Sequence, residues 1–564
     1  MTRHFIVFVY PQLLRLSLLT WLILLALNAK TLAGTLRGLA GRRTWIGLGA
    51  ITAFALALRL WVIPHTHHLF YDELTHLDLA RNLARNASFA VTLIGGTNGY
   101  DLLEAPPYWP AGFHTLLSLV YLACGYSEGA AYWMNAAIGG LTAPLLFAVS
   151  LLLWEDEAAA LISALILAFL PLHLKLSGCA DLSVSSFFWL ATSLLAFLIH
   201  RRRKTGWTFA LWLATMNFAA HIRPENILMM LLLAAWHVRE RPSQRRPLVF
   251  LLLALAAMAA PLLALVDINI LVALKVFGET WLGLWENLKS NLADNALYLL
   301  DPAPQGALLI LSAWGYRTAR SAKAESAFWL AFSGGYFLLY SSFWFGNFTH
   351  WHWPTISDRY SLALYLPLLA FAGLGLSRLA KLGSRPGTTA GVACACLLIL
   401  SLASYGTMFD SPLDEQDRYR FLLESAGRLP KDAYVITYQP GAIITVARRP
   451  AINAYLILNE RAAVEKALAR QNGRPPEFVL FKDFWRYQPW RPTREIEQVL
   501  REDFDFRPLA ERQINGGDFG FYRLVPRKTG PSRPKAGKAA RKKAAFEPGE
   551  RAPGRRTSQT QNRA

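Results

Sequence analysis

The chain has 564 residues, of which 54% are hydrophobic and only 17% charged, with a mean hydropathy of +0.26. That is too apolar for an ordinary water-soluble enzyme, and 19 Trp with 20 Tyr suit a protein with two membrane–water interfaces, where amphipathic rings settle. The net charge of +20 fits nucleic acid in principle, but it gathers in a C-terminal tail and in short loops between apolar runs, the pattern of the positive-inside bias, so no nucleic-acid partner is expected.

Residues 1–44 hold an apolar segment, 5–29, that is either a span or an interfacial helix, followed by a basic loop. Spans then follow near 45–63, 130–153, 157–176, 182–200, 206–221, 225–238, 247–266, 304–317, 327–346, 360–379 and 388–406. The expected fold class is therefore mostly α, a polytopic helix bundle of about 11–12 spans filling 45–409, with a large first external loop and a small C-terminal α/β domain. Basic clusters at Lys30–Arg43, His200–Lys204, Arg239–Arg246, Arg317–Lys323 and Arg378–Arg385 alternate with these spans and mark the cytoplasmic side. Loops 64–129, 267–303 and 347–359, and everything after 407, then share the opposite face.

The first of those loops opens with Tyr71-Asp72-Glu73-Leu74, directly after a span. Acidic residues are costly inside a bilayer, so a carboxylate pair at the point of exit asks for a reason. Residues 72–84 read as a short amphipathic helix, with Leu74, Leu77, Leu79, Leu83 and Ala84 on the membrane and Asp72, Glu73, Asp78 and Arg81 toward water. On these residues alone, capping the positive end of the helix dipole explains Asp72 as well as chemistry does. Further on, Leu103-Glu104-Ala105-Pro106-Pro107 leads into a second amphipathic stretch, Gly112–Gly125, the prolines holding the backbone extended. Two carboxylates beside membrane helices on one face, Asp72 and Glu104, suit the task of holding an acceptor hydroxyl and removing its proton.

From 410 to 526 the texture becomes that of an α/β domain. Strands fit Asp432–Tyr438 and Phe478–Lys482, helices Asn459–Arg470 and Arg494–Glu502, and a closing strand Phe519–Val525. Residues 527–564, rich in Lys, Arg, Pro, Gly and Ala, read as disordered and suited to anionic membrane lipids. Cysteines 124, 179, 394 and 396 lack zinc spacing, and single Glu residues with scattered His make a poor metal signature. No metal or other cofactor is required on this reading, and a divalent cation stays open.

The motifs, in this order, resemble the GT-C superfamily of polytopic membrane glycosyltransferases, especially the protein O-mannosyltransferase and lipid A aminoarabinose transferase branch. The resemblance runs over about residues 45–410. It rests on Asp72-Glu73 with Ala80-Arg81, Glu104-Ala105-Pro106-Pro107 (alanine standing where the group has a basic residue), Pro171–Ser177, His221-Ile222-Arg223-Pro224-Glu225, and Asp358-Arg359-Tyr360 opening a helix that contains Pro367. It implies an enzyme that takes a hexose or pentose from a polyprenyl-phosphate donor and transfers it, with inversion, to a lipid, glycan or protein acceptor. It also implies a multi-pass protein of the bacterial inner membrane with a periplasmic C-terminal domain. On the same resemblance Asp72 is the base, Glu73 orients its helix, and Glu104 contacts the acceptor. Arg359, Arg223 and Lys175, with Tyr360, would hold the donor phosphate, for which Arg is suited by permanent charge and paired hydrogen bonds. Asp181 is off-register from the group's pattern and carries little weight, and Trp351-His352-Trp353-Pro354 fits an interface anchor better than a sugar platform. The rival reading is a transporter or lipid flippase without transferase activity, which mid-membrane charges between related halves would mark. Here the candidate charges gather at one face.

Overall fold

The computed structural model describes residues 4–67, 70–96, 102–104, 110–240, 281–300, 305–319, 323–342, 348, 357–409, 413–472, 475–483, 493–514 and 517–527. The N-terminal segment is one continuous helix, α1 (Phe5–Arg37), opened by a π turn at Phe5–Val9; its 33 residues are long enough to cross a bilayer with tilt. Helix α2 (Arg42–Val62) ends in a second π turn, Leu58–Val62. The external loop then supplies α3 (Phe70–Asn86), strands β1 (Val91–Gly95) and β2 (Leu102–Glu104), and α4 (Gly112–Cys124).

Capping residues set the next boundaries. Ser127 accepts the Ala130 N–H at 3.0 Å to start α5 (Glu128–Trp154), and Asp156 accepts that of Ala159 at 3.0 Å to start α6 (Glu157–Phe169). Pro171 cannot continue α6, so the chain leaves it at 56° as α7 (Pro171–Ser177), and the expected span 157–176 is a broken one. Then come α8 (Ser183–Arg203), α9 (Gly206–Ile222), α10 (Ile227–Glu240), α11 (Trp281–Leu300), α12 (Ala307–Thr318) and α13 (Lys323–Ser341). A 3-10 segment, Ser357–Leu364, leads into α14 (Tyr365–Leu382), which is followed by α15 (Pro386–Phe409).

Among the described residues six helices are long and apolar enough to cross a membrane, or seven if α6 and α7 count as one. That is fewer than the sequence suggests, because α9, α10 and α12 have only 17, 14 and 12 residues, short of the ~20 a perpendicular crossing needs. The expected span 247–266 lies outside the described residues. Helix α8 is the axis of the bundle, with 94% of its apolar window buried, whereas α1, α2 and α15 bury 17% and so present the lipid-facing wall. Helices α12 and α14 touch at glycines, where a Cβ on Gly315 would lie 2.9 Å from the Gly375 nitrogen.

The C-terminal part adds α16 (Leu413–Ala426), β3 (Tyr434–Thr437), β4 (Ala451–Asn453), α17 (Ala454–Asn472), β5 (Phe478–Asp483), α18 (Thr493–Asp503), β6 (Phe504–Ile514) and β7 (Gly517–Pro526). The strands form one sheet in the order β2-β1-β4-β3-β5-β7-β6, with β3 parallel to β4 and β5 and the other pairs antiparallel. Strand alternation divides the core: Tyr434, Ile436, Phe478 and Leu480 pack with Ile457, Leu468 and Leu500 on one face, while Val435, Val479, Phe481 and Phe521 join the main core with Phe421. The first loop thus contributes β1 and β2 to the sheet, through Ile94 opposite Ile452.

That union corrects the expected exposure of α3. Glu73, Asp78 and Arg81, placed toward water by periodicity, are buried. Asp78 accepts the Thr92 N–H and the Thr92 hydroxyl, both at 2.8 Å, and pairs with Arg81 at 3.5 Å. Strand β1 and the short turn Pro440–Ala442 cover this face, so closely that a Cβ on Gly441 would sit 2.6 Å from that of Asp78.

Candidate active site

Asp72 and Glu73 occupy the first turn of α3, where unpaired N–H groups favour negative charge. Their surroundings differ. The Asp72 side chain is 31% exposed, and its Oδ2 accepts from Nη2 of Arg359 at 2.9 Å. Glu73 is fully buried; its Oε2 accepts the Ala180 N–H at 2.8 Å and lies 2.9 Å from Nδ1 of His67. Glu73 therefore fastens α3 to the loop between α7 and α8, which carries Asp181.

Arg359 is the centre of the site. Its Nη1 lies 3.2 Å from Oδ1 of buried Asp181, and its Nη2 also donates to the Tyr360 hydroxyl at 3.1 Å. One planar guanidinium thus joins two carboxylates from two different elements, a task for which its forked donors are shaped. Burial raises the Asp181 pKa, but Arg359, Arg223, His76 and the Ser183 side chain more than offset this, and the net direction is downward; the Ser183 N–H also donates to its Oδ2 at 2.8 Å. Arg223 stands alongside, donating to the Ser183 hydroxyl at 3.1 Å and to Tyr340 at 3.5 Å. The Tyr360 ring lies 5.0 Å from the guanidinium carbon of Arg359 and 5.3 Å from that of Arg223. A small cavity bounded by Ser183, Asn226, Tyr340 and the two arginines separates them, and the Nε atoms of both arginines are buried without a hydrogen-bond partner among the described residues. Buried donors of this kind are rare and call for an acceptor.

Lys175, fully buried on α7, stands 3.1 Å from Oδ2 of Asp358 and braces the turn that presents Arg359. Glu104 lies elsewhere, at the end of β2, on a larger cavity of about 1300 Å³ that it shares with Asn86, Asn453, Tyr455 and Glu460. The structure therefore gathers Asp72, Arg359, Arg223 and Tyr360, places Lys175 and Glu73 as supports, and sets Glu104 on another wall. Ala105, Pro106 and Pro107, with the segment Trp351–Pro354, lie outside the described residues.

Sequence reasoning missed Asp181 as a member of the cluster and His67 altogether. His67 is fully buried between Glu73 and Glu128, whose Oε2 is 3.9 Å from Nε2 and accepts from Tyr419 at 2.5 Å. Burial lowers its pKa, but Glu73 and Glu128 outweigh that and raise it to about 9, so the ring is an imidazolium at neutral pH. Tyr419, on α16, packs edge-on against it at 4.8 Å, which carries the link to the C-terminal sheet. Among the described residues no group of three or more His, Cys, Asp or Glu side chains is arranged to hold a metal ion.

The cluster lies at the starts of α8 and α14, whose other ends carry Arg201, Arg202 and Arg203 and Lys381. At that opposite end Asp156 pairs with Lys381 at 2.6 Å and Glu155 with Arg202 at 2.8 Å. The charge asymmetry read from the loops is thus an asymmetry of the two ends of one bundle.

No protein-family model matches the sequence, and no curated protein matches it. Solved structures do. ArnT from Cupriavidus metallidurans bound to undecaprenyl phosphate superposes with a TM-score of 0.55 at 13% identity, over 87% of this chain and 100% of that one. The same enzyme in the apo state gives 0.50 at 13% identity, over 86% and 98%. The Archaeoglobus fulgidus oligosaccharyltransferase in complex with Zn and sulfate gives 0.51 at 14% identity, over 84% and 72%. The chain shares the fold of these solved structures, the fold that the resemblance of its motifs implies.

Proposed function

We propose that the chain is an integral-membrane glycosyltransferase that moves a sugar from a polyprenyl-phosphate donor to a lipid, glycan or protein acceptor. The reaction is placed at the non-cytoplasmic face of a bacterial inner membrane, with the C-terminal sheet in the periplasm. The observation that carries this reading is the Arg359 guanidinium held between Asp72 and Asp181 beside Arg223, at the bundle end away from the basic residues. The fold neighbour ArnT, solved with undecaprenyl phosphate, supports a lipid phosphate as the anionic ligand.

In this mechanism the acceptor oxygen attacks the anomeric carbon while Asp72 takes its proton. The bond from that carbon to the phosphate oxygen breaks, its electron pair leaves with the lipid phosphate, and the two arginines meet the growing charge. The ion pair between Asp72 and Arg359 adds an order to these events. A phosphate reaching Arg359 competes with Asp72 for the same Nη2, loosens the carboxylate and frees it to accept a proton. Donor binding thereby arms the base. Glu104, on its separate wall, serves as a contact for the outer part of the acceptor.

The test is release of polyprenyl phosphate from a panel of polyprenyl-phosphate sugars by wild type and Asp72→Asn. Turnover should fall by about 10²–10⁴ with donor binding kept, the range of a lost general base. Undiminished turnover in the variant removes Asp72 from the role. A wild type that turns over no donor removes the transferase reading.

A further inference from the structure

Helices α12 and α15 both pack against α14, yet they part from each other along a groove of about 770 Å³ on the wall of the bundle. The groove opens at the end of α14 opposite Arg359, the end that carries the basic residues. Its first residues are polar: Ser384 and Arg385 from the turn before α15, and Thr388 from the first turn of that helix. Beyond them the lining turns apolar. Thr388, Val392, Cys396 and Leu400 each follow the last by four residues, so they form one stripe along one face of α15. Ile310 and Leu311 of α12 make the facing wall. Val392 and Ile310 are exposed, so the trough opens toward the lipid side rather than into the core.

Length and charge together select an occupant. From Thr388 to Leu400 the stripe rises about 18 Å at ~1.5 Å per helical residue. One leaflet's share of a ~30 Å hydrocarbon core is ~15 Å, so the trough runs the depth of one leaflet. At its mouth Lys381 is paired with Asp156 at 2.6 Å, whereas exposed Arg378 and Arg385 form no ion pair among the described residues. Arg385 lines the groove itself, and Ser384 and Thr388 add hydroxyl donors beside it. A guanidinium with hydroxyls at one end and an apolar trough behind it suits a phosphate head group carrying an acyl chain. A zwitterionic head group would bring a second cation to the same place. We propose that the groove between α12 and α15 binds one anionic phospholipid from the leaflet at the basic end of the bundle, its phosphate on Arg385 and one acyl chain along the α15 stripe. The site shares no residue with the arginine cluster and stands independently of the transferase reading. It does reach toward that cluster through packing, because α15 also touches α7, the helix whose Lys175 braces the turn of Arg359. A lipid lodged between α12 and α15 steadies α15 against α7.

The experiment is native mass spectrometry of the full-length protein in mild detergent, titrated with phosphatidylglycerol or with phosphatidylcholine of the same acyl chains. Phosphatidylglycerol should give one saturable adduct, held about 5-fold more tightly than phosphatidylcholine or better. Arg385→Gln should lower that preference by about 5-fold, the equivalent of ~1 kcal/mol for one basic residue near a membrane surface. Cys396→Trp, at an exposed position, should fill the trough and remove the saturable adduct of both lipids. Where that variant does not fold, Ala393→Leu, a smaller change in the same lining, should do the same. Adducts that grow without saturating, equally for the two lipids, mark ordinary boundary lipid and overturn the proposal. So does a preference untouched in Arg385→Gln, or a saturable adduct that survives the groove-filling variant. Undecaprenyl phosphate that displaces phosphatidylglycerol at equal concentration would assign the groove to the carrier lipid, and it too overturns the occupant named here.

Discussion

Replacing Glu73 by glutamine isolates one charge at the root of the site. The amide oxygen can still accept the Ala180 N–H, so the link between α3 and the loop of Asp181 keeps its shape. What is lost is the anion facing His67, whose pKa is raised from 6.5 to about 9 against the opposing effect of burial. At about 1.4 kcal/mol per pH unit, that gap corresponds to about 3 kcal/mol of stability held by the protonated ring, the same order as the ~3–5 kcal/mol for breaking a buried pair. The sign follows from the direction. A raised histidine stabilises fully below its ordinary 6.5, and the contribution is lost as pH rises toward and through about 9. The apparent unfolding temperature of wild type in detergent, followed by tryptophan fluorescence, should therefore carry a decline across that window. Glu73→Gln should start lower in mild acid, decline less, and meet wild type at the alkaline end. Taking the difference between the two curves cancels the other titrating groups. Curves that run parallel from mild acid to pH 9 would refute the assignment of His67 as the charged partner of Glu73.

Arg359→Lys preserves the charge but not the fork, so one ammonium cannot span Asp72 and Asp181 as Nη2 and Nη1 do. Turnover should drop by about 10²–10³, the usual effect of removing a donor to developing negative charge; a variant within threefold of wild type in kcat would show that the bridge is dispensable. Gly441→Ala adds a methyl group 2.6 Å from the Asp78 Cβ and should part the Pro440–Ala442 turn from α3 at a cost of about 1–3 kcal/mol, as overpacking does. Limited proteolysis should then cut between the bundle and the sheet faster than in wild type, and an unchanged cleavage rate would count against that packing.

Much of this architecture is legible in the chain, and most of the exceptions depend on contacts between distant segments. Apolar runs locate most helices of the bundle, and β3, β5 and β7 show as short runs rich in aromatic and aliphatic residues. The 11-residue β6 is hidden in the sequence by Pro508, which argues against a strand, and β1, β2 and β4, with 5, 3 and 3 residues, pair segments far apart in sequence. Without them the polar stripe of α3 looked like a solvated face. The ends of their spans put Asp72 and Arg359 at the same face, but their contact, which closes over 287 residues, has no sequence signal. Asp181 carries little weight in a linear pattern, whereas its membership of the site depends on the direction in which a loop between two buried helices points. His67 offers no linear signal at all: its partners come from α3, α5 and α16.

The arrangement of α3 fits a helix that does not span the membrane to the chemistry proposed for it. Loops are usually the mobile part of a structure, and a base displaced by about 1 Å can cost on the order of 10² in rate. Here four polar residues of α3 are each tied to a different body: Asp72 to the turn before α14, Glu73 to the loop before α8, His76 to α4, and Asp78 to β1. On the C-terminal side, Thr75 receives a hydrogen bond at 3.2 Å from Gln439, next to the turn that covers Asp78. These ties leave Asp72, alone among those acidic side chains, partly open and bound by a single exchangeable partner. A carboxylate fixed through its helix but released through its charge suits a base that must stay idle until a phosphate arrives. A transporter has the opposite need, for elements that move past one another around the site. The cross-linking of α3 to the bundle, the loop and the sheet at once therefore favours the transferase reading over its rival.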